Sequence, residues 1–248
     1  MSAKPKVAFF DFAGCEGDQL QIANLEERIL DIVSHIEIVS FREVKTEHVD
    51  DYDIAFVEGS ITRPEDEQRI KEIRKNAKIL IALGACATIG GINCLKNFLT
   101  KQEYTSIVYG PYARYYSTYA ARPVSAVVPV DGEIHGCPID KEEFVLVVKS
   151  LLLGKSYVPP DYPVCVECKK AGNICRFEQG RLCLGIVTRA GCNAACITAG
   201  SVCWGCRGPA PGANLDAARQ VMDEHGFNWL EAEDKLRLYM GHFLKARG

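Results

Sequence analysis

Eight of the twelve cysteines fall in one run, residues 165–206, "CVECKKAGNICRFEQGRLCLGIVTRAGCNAACITAGSVCWGC". In an oxidising compartment such a run is a disulfide framework; in a reducing one, dense cysteine means metal or redox chemistry. The N-terminus "MSAKPKVAFF" has no apolar stretch ending in a small-residue cleavage site and no twin arginine. No apolar run in the chain is long enough to span a bilayer. The expected location is the cytoplasm, with no direct membrane insertion. A net charge of −3 leaves no basic footprint for nucleic acid. Eight thiols are what two cubanes of four irons and four sulfides require. Structural zinc sites use similar Cys-x-x-Cys pairs, so spacing alone leaves zinc open. The surroundings favour iron–sulfur: few charges follow Cys183, and small residues abound, whereas zinc ribbons carry their ligands on polar hairpins.

The first half has a different texture. "KVAFFDF" (6–12), "IEIVSF" (36–41), "DIAFVEG" (53–59), "KILIALG" (78–84) and "SAVVPV" (125–130) are short, apolar and rich in β-branched or aromatic residues. Helical periodicity fills the intervals. "QLQIANLEERILDIV" places Leu25, Ile29 and Ile32 at helical spacing. "RPEDEQRIKEIRKN" has Pro64 and acidic residues in its first turn. "DKEEFVLVVKSLLLG" starts at an N-cap residue, Asp140, and stops at Gly154. This alternation predicts an α/β fold, a flavodoxin-like, mainly parallel sheet over residues 1–155. Residues 156–248 are expected to form an irregular, mainly helical iron–sulfur domain.

On that pattern Cys15 follows the first strand, Cys86 the fourth and Cys137 the fifth. Ligands of open α/β sheets gather at the carboxyl edge of the strands. The three loops are glycine-rich: Gly14 and Gly17 in "AGCEGD", "LGACATIGG" around Cys86, and Gly136 in "IHGCPID". Glycine lets the backbone approach an inorganic centre and turn its N–H groups toward sulfur. Three thiolates need a fourth ligand, and Asp18 has the right offset from Cys15. Cys94 reads as a small buried hydrophobe; the alternatives to Asp18 are an open or water-filled fourth position or rescue by Cys94. A flavin phosphate on the first loop is the competing use of such a sheet, but "AGCEGD" lacks the hydroxyl-rich loop for it.

Together, "GCEGDQLQ", "VEGSI" (57–61), "GACATIGGI" (84–92), "HGCP" (135–138) and the block ending "CWGCRGP" resemble the small, electron-transferring subunit of NiFe hydrogenases. The cytoplasmic multisubunit kind is the nearest in pattern: sulfhydrogenase delta-like and NAD(P)-, deazaflavin- or heterodisulfide-reductase-linked small subunits. The wider family includes the 20-kDa subunit of respiratory complex I, which has adjacent cysteines in its first loop and no two-cluster block. The resemblance implies three 4Fe–4S clusters: proximal on Cys15, Asp18, Cys86 and Cys137; medial on Cys192, Cys196, Cys203 and Cys206; distal on Cys165, Cys168, Cys175 and Cys183. Asp18 stands where most relatives have cysteine. Glu58, in "VEGS", is implied to line the proximal edge. The implied partners are an obligate NiFe-bearing large subunit and a further flavin or iron–sulfur redox subunit. Nickel chemistry and flavin belong to those partners, since this chain lacks the paired Cys-x-x-Cys motifs, one near each end of the chain, by which the large subunit holds nickel. The implied role is hydrogenase electron transfer; the alternative is a zinc-binding scaffold or assembly protein. The tail reads as two helices parting near Gly226, with Asn228 and Glu231 as a capping box. The tyrosine-rich segment 109–123 fits either an interface or a well-packed loop.

Overall fold

A computed structural model describes residues 4–247; the outermost residues of both expected domains, 1–3 and 248, lie outside it. Five strands form one all-parallel sheet in the order β2-β1-β3-β4-β5. They are β1 (Lys6–Asp11), β2 (Glu37–Ser40), β3 (Ile54–Glu58), β4 (Ile79–Leu83) and β5 (Gly132–Ile134). Asp11 pairs with Glu58, Glu58 with Leu83, and Leu83 with Ile134, so four carboxyl ends are level.

The strand side chains alternate between two apolar layers. Val7, Phe9, Phe56, Ile81 and Leu83 face α1 (Gly17–Ala23), α2 (Arg28–His35) and a later helix, α6 (Lys141–Leu152). Phe9 stacks on Phe41 and Phe56, with centroids 4.4 and 5.1 Å apart. Ala8, Ala55, Val57, Leu80 and Ala82 face α3 (Pro64–Asn76), where Ile70 and Ile73 are buried. The sheet leads into α4 (Gly84–Ile89), a 3-10 segment Ile92–Phe98 and α5 (Lys101–Tyr109).

Two expectations for this half need correction. The stretch 125–130 is not the fifth strand; a 3-10 turn occupies Val124–Ala126 and pairing starts at Gly132. Pro129 cannot donate to a ladder, and Val124 and Val128 are buried in the second apolar layer. Asp131 sets the entry, its N–H donating to the Leu80 carbonyl and its carboxylate accepting from the Leu80 N–H, both at 2.8 Å. The single helix expected over 19–33 is two, separated where Glu26 takes a positive φ of 56°.

Beyond residue 160 regular structure is sparse until the last two helices. It comprises α7 (Val164–Lys170), a 3-10 turn Leu184–Ile186 and α8 (Ala195–Thr198), followed by α9 (Leu215–Glu224) and α10 (Trp229–Arg247). Asn228 caps α10 through the Leu230 N–H (2.9 Å) rather than through Glu231. Met222, Leu236 and Met240 from the last two helices pack on Leu182, Leu184 and Val187 of the cysteine block. A buried ion pair joins the two halves: Arg207 forks onto Glu143 of α6 at 2.7 and 2.8 Å and donates to the carbonyls of His135 and Ala190. No helix among the described residues is long and apolar enough to cross a membrane.

Candidate metal centres

The level strand ends bring the first group together. Cys15 lies four residues past β1, Cys86 three past β4 and Cys137 three past β5. The loops are tied to each other without using sulfur. The Ala85 N–H donates to Gly136 O (2.6 Å), and the Asn93 amide donates to Ala13 O (2.7 Å) and Ser60 Oγ (2.8 Å). Asn93 also reaches Cys86 Sγ at 4.0 Å; no motif in the sequence marks it.

Asp18 and Glu58 are both buried here. Glu58 accepts from the backbone N–H groups of Asp18 (3.3 Å) and Gln19 (2.9 Å), so it buttresses the first turn of α1. Asp18 Oδ1 accepts from the Ile139 N–H at 2.8 Å, joining the first loop to the fifth. Its carboxylate lies flat on Gly84, at φ +80°, in the space a side chain there would fill. Burial, then the facing Glu58, pushes the Asp18 carboxyl up to about 7. Burial likewise raises Glu58.

The thiols follow the same pattern. Burial pushes Cys86 up to about 12, and its electrostatic neighbours are Cys137, Asp18, Cys15 and Glu58. Cys137 is raised by burial and has Asp18, Cys15 and Glu58 around it. Buried thiols and acids facing each other are costly as anions, and a bound cation relieves that repulsion. Gly14 approaches Gly59, and Gly17 approaches Cys15 Sγ; a Cβ at either would come within 3.3 and 3.2 Å. Gly136, at φ +139°, turns the chain into Cys137. Cys94 stands apart: fully buried, it donates to the Ala121 carbonyl at 3.4 Å.

In the second half, Cys165, Cys168, Cys175 and Cys183 line one cavity of about 320 Å³. Burial pushes Cys165 up to about 11, with the other three as its next influences. Cys206 is pushed up to about 12 by burial, and its thiol neighbours are Cys192, Cys137 and Cys196. Cys203 is raised by burial, with Cys183 and Cys206 beside it. These neighbourhoods touch one another. Cys206 meets Cys137 of the sheet edge, and the Cys203 N–H donates to Cys183 Sγ at 3.2 Å toward the cavity. Among the described residues no three His, Cys, Asp or Glu are placed to hold a single metal ion. The cavity thiols instead line the wall of a space, and their soft, thiolate-forming chemistry suits iron–sulfur units.

The chain is similar to known proteins in sequence and in fold. Residues 15–151 match the family described as NADH ubiquinone oxidoreductase, 20 Kd subunit. The chain is 36% identical to sulfhydrogenase 2 subunit delta of Pyrococcus furiosus, over 88% of this chain and 92% of that protein. It is 32% identical to a subunit of the vhu F420-non-reducing hydrogenase of Methanocaldococcus jannaschii, over 94% and 92%. Its fold is similar to a chain of the NiFeSe hydrogenase from Desulfovibrio vulgaris Hildenborough, with a TM-score of 0.55 and 19% identity, covering 84% of this chain and 94% of that one. The family match ends before the cysteine block, whereas the two hydrogenase relatives span it. The chain therefore belongs to the 20-kDa-subunit family, among its hydrogenase small-subunit members.

Proposed function

We propose that this chain relays electrons in a NiFe hydrogenase, through three 4Fe–4S clusters, between the NiFe site of a large subunit and a further flavin or iron–sulfur subunit. The observation that carries the reading is the succession of donor groups, from the sheet edge through Cys206 and Cys203 to the Cys165–Cys183 cavity. Bound clusters would supply one-electron storage and transfer. The chain's residues do the rest: they space the groups, bury most of the thiols and place hydrogen bonds on sulfur, which tunes potential. On this reading residues 1–155 carry the proximal group and 156–248 the medial and distal groups, and the protein works in the cytoplasm.

Asp18 is the fourth proximal ligand in this proposal: its carboxylate would bind iron while Oδ1 keeps the Ile139 amide. Glu58 holds the loop. The exposed Cys15 marks the face that the large subunit covers. Anaerobic iron and acid-labile sulfide analysis tests the whole: eleven cysteines and one aspartate in fours require roughly twelve irons per chain. About eight irons would mean an empty sheet edge, and stoichiometric zinc would overturn the reading in favour of a scaffold protein.

A further inference from the structure

The cavity walled by Cys165, Cys168, Cys175 and Cys183 has a charged rim. The segment 165–183 carries four cations, Lys169, Lys170, Arg176 and Arg181, against two acids, in a chain whose net charge is −3. One acid, Glu167, is buried and bonded to the Gly191 and Ala194 N–H groups at 2.8 and 3.3 Å. The other, Glu178, is exposed. Among the described residues none of the four cations is in an ion pair. Their surroundings divide them. Lys169 and Arg176 line the cavity, and Arg176 donates to the Ser201 carbonyl (2.9 Å) and to the Ile197 carbonyl. Lys170 and Arg181 are exposed and lie outside the lining: Arg181 donates to the Gly200 carbonyl at 2.6 Å, and the Lys170 ammonium sits 5.7 Å from the Tyr162 ring centroid. Each adjoins a lining residue, since Lys170 follows Lys169 and the Arg181 N–H donates to the Arg176 carbonyl at 2.9 Å. Between them in sequence, Ile174 is 61% exposed, and Cys175 is the exposed thiol of the four. Helix α9, which adds Val221 and His225 to the lining, carries Asp223 and Glu224 beside them; Asp223 lies 4.0 Å from Arg219.

We propose that this face is where the further redox subunit docks, and that the subunit meets it with a carboxylate-rich surface. The proposal rests on the cluster reading given above and names the chemistry of the partner at the outer end of the donor groups. An exposed donor thiol brings electrons to the surface. An exposed apolar side chain beside it, with cations around, has the anatomy of an apolar centre inside a polar rim. Cations that served only to offset a cluster's charge would sit at the sulfur, as Lys169 and Arg176 do. Lys170 and Arg181 face water instead, where an unpaired charge steers an oppositely charged partner and fixes its register. A second copy of this chain would bring the face against itself, like charge on like. An anionic membrane takes about four to eight outward cations, and three of the four are exposed here. An acidic protein surface is the occupant these observations favour.

The test uses the intact complex, purified anaerobically through a tag on the large subunit, with subunits counted by native mass spectrometry and iron counted on the same sample. Lys170→Glu combined with Arg181→Glu is expected to keep the large subunit and full iron while losing the further redox subunit at a salt concentration where the unsubstituted complex holds it. Lys170→Gln combined with Arg181→Gln is expected to lose it at an intermediate salt. Soluble polyglutamate is expected to displace that subunit from the unsubstituted complex, and polylysine to leave it in place. Retention of the subunit in the charge-reversed variant overturns the proposal, as does displacement by polylysine rather than polyglutamate. Loss of iron in that variant overturns it too, since the cations would then serve the cluster. Binding to phosphatidylserine vesicles that the reversal abolishes would assign the face to a membrane, and a halving of the copies of this chain per complex would assign it to a second copy; either result overturns the acidic partner. An unsubstituted complex that lacks iron but sheds the subunit on charge reversal fails the cluster reading and leaves the contact standing, so the two failures are distinguishable.

Discussion

The sheet-edge group and the cysteine block hold comparable sets of donors by opposite means. At the edge, four strands end in register, and hydrogen bonds from Asn93, Ala85 and Ile139 knit the loops without sulfur. The geometry follows from the two apolar layers behind it. In the block, the regular elements around the thiols are α7, a 3-10 turn and the four-residue α8. Its local apolar cluster includes Cys168, Cys183 and Cys203 themselves. One site is imposed by a fold; the other is part of what makes its fold. Metal binding to such a segment is folding free energy as well as affinity.

The largest expected effect separates the two directly. Stripping iron with a chelator under reducing conditions is expected to abolish hydrogen-exchange protection across residues 163–206, while β1, β3 and β4 stay protected. Uniform loss across both regions would show that the sheet also depends on metal. Uniform retention would show that the block is a preformed cage.

Next in size is the bond between the regions. Arg207 and Glu143 are almost fully buried and meet in a two-pronged ion pair, 64 residues apart in sequence. Removing one partner leaves the other charge buried and unpaired, a loss of about 3–5 kcal/mol. Arg207→Met is expected to lower the thermal midpoint of the complex sharply. Adding Glu143→Leu is expected to restore much of the loss, because no orphaned charge remains. A double variant no better than Arg207→Met would show that the bonds from Arg207 to the His135 and Ala190 carbonyls matter more than the charge.

How far these features are legible in the sequence varies with how local their causes are. The first four strands are readable because each is a short apolar run that forms both faces of its own layer. The fifth is misplaced by its pattern because Val124 and Val128 belong to the core without belonging to the sheet, and a strand of only Gly132–Ile134 has almost no pattern of its own. Asp18 stands out from its offset to Cys15. Its contacts with Gly84 and Ile139 do not, since they need the strand order. The grouping of the last eight cysteines comes from resemblance, not from spacing. Arg207–Glu143 leaves no trace in the sequence, because it joins two distant segments. The tyrosine-rich segment is mixed: Tyr119 is bonded to the Arg63 carbonyl at 2.7 Å, whereas Tyr112, Tyr115 and Tyr116 are exposed.

Within the sheet edge, Asp18 and Cys94 are the two residues that contend for the fourth position, and they are expected to behave differently. Asp18→Ala should alter the EPR signal of the sheet-edge site or convert it to a three-iron form. Cys94→Ala should leave that signal unchanged, because its thiol is turned to Ala121 and packed beneath Gly241. The reverse result would make Cys94 the ligand and reduce Asp18 to a tie between loops.

The smallest effect sharpens the contrast most finely, through two helix caps of the same kind. Asp140 caps α6 by accepting from the Glu143 N–H at 2.9 Å. Asn214 caps α9 by accepting from the N–H groups of Asp216 and Ala217, both at 3.0 Å. Replacing either by alanine removes a bond worth about 1 kcal/mol. Helix α6 packs on the sheet, through Phe144, Val145 and Val148. Helix α9 packs through Met222 on Leu182, Leu184 and Val187, which lie within or beside the cysteine block. Asp140→Ala is therefore expected to speed exchange in α6 by about fivefold, the factor that 1 kcal/mol represents, with or without iron. Asn214→Ala is expected to do the same to α9 only in the iron-loaded protein. Once iron is gone the partners of α9 are no longer held, its amides exchange freely, and a missing cap has nothing left to weaken. Equal responses of α9 in both states would place that helix with the sheet, as a unit that stands without metal.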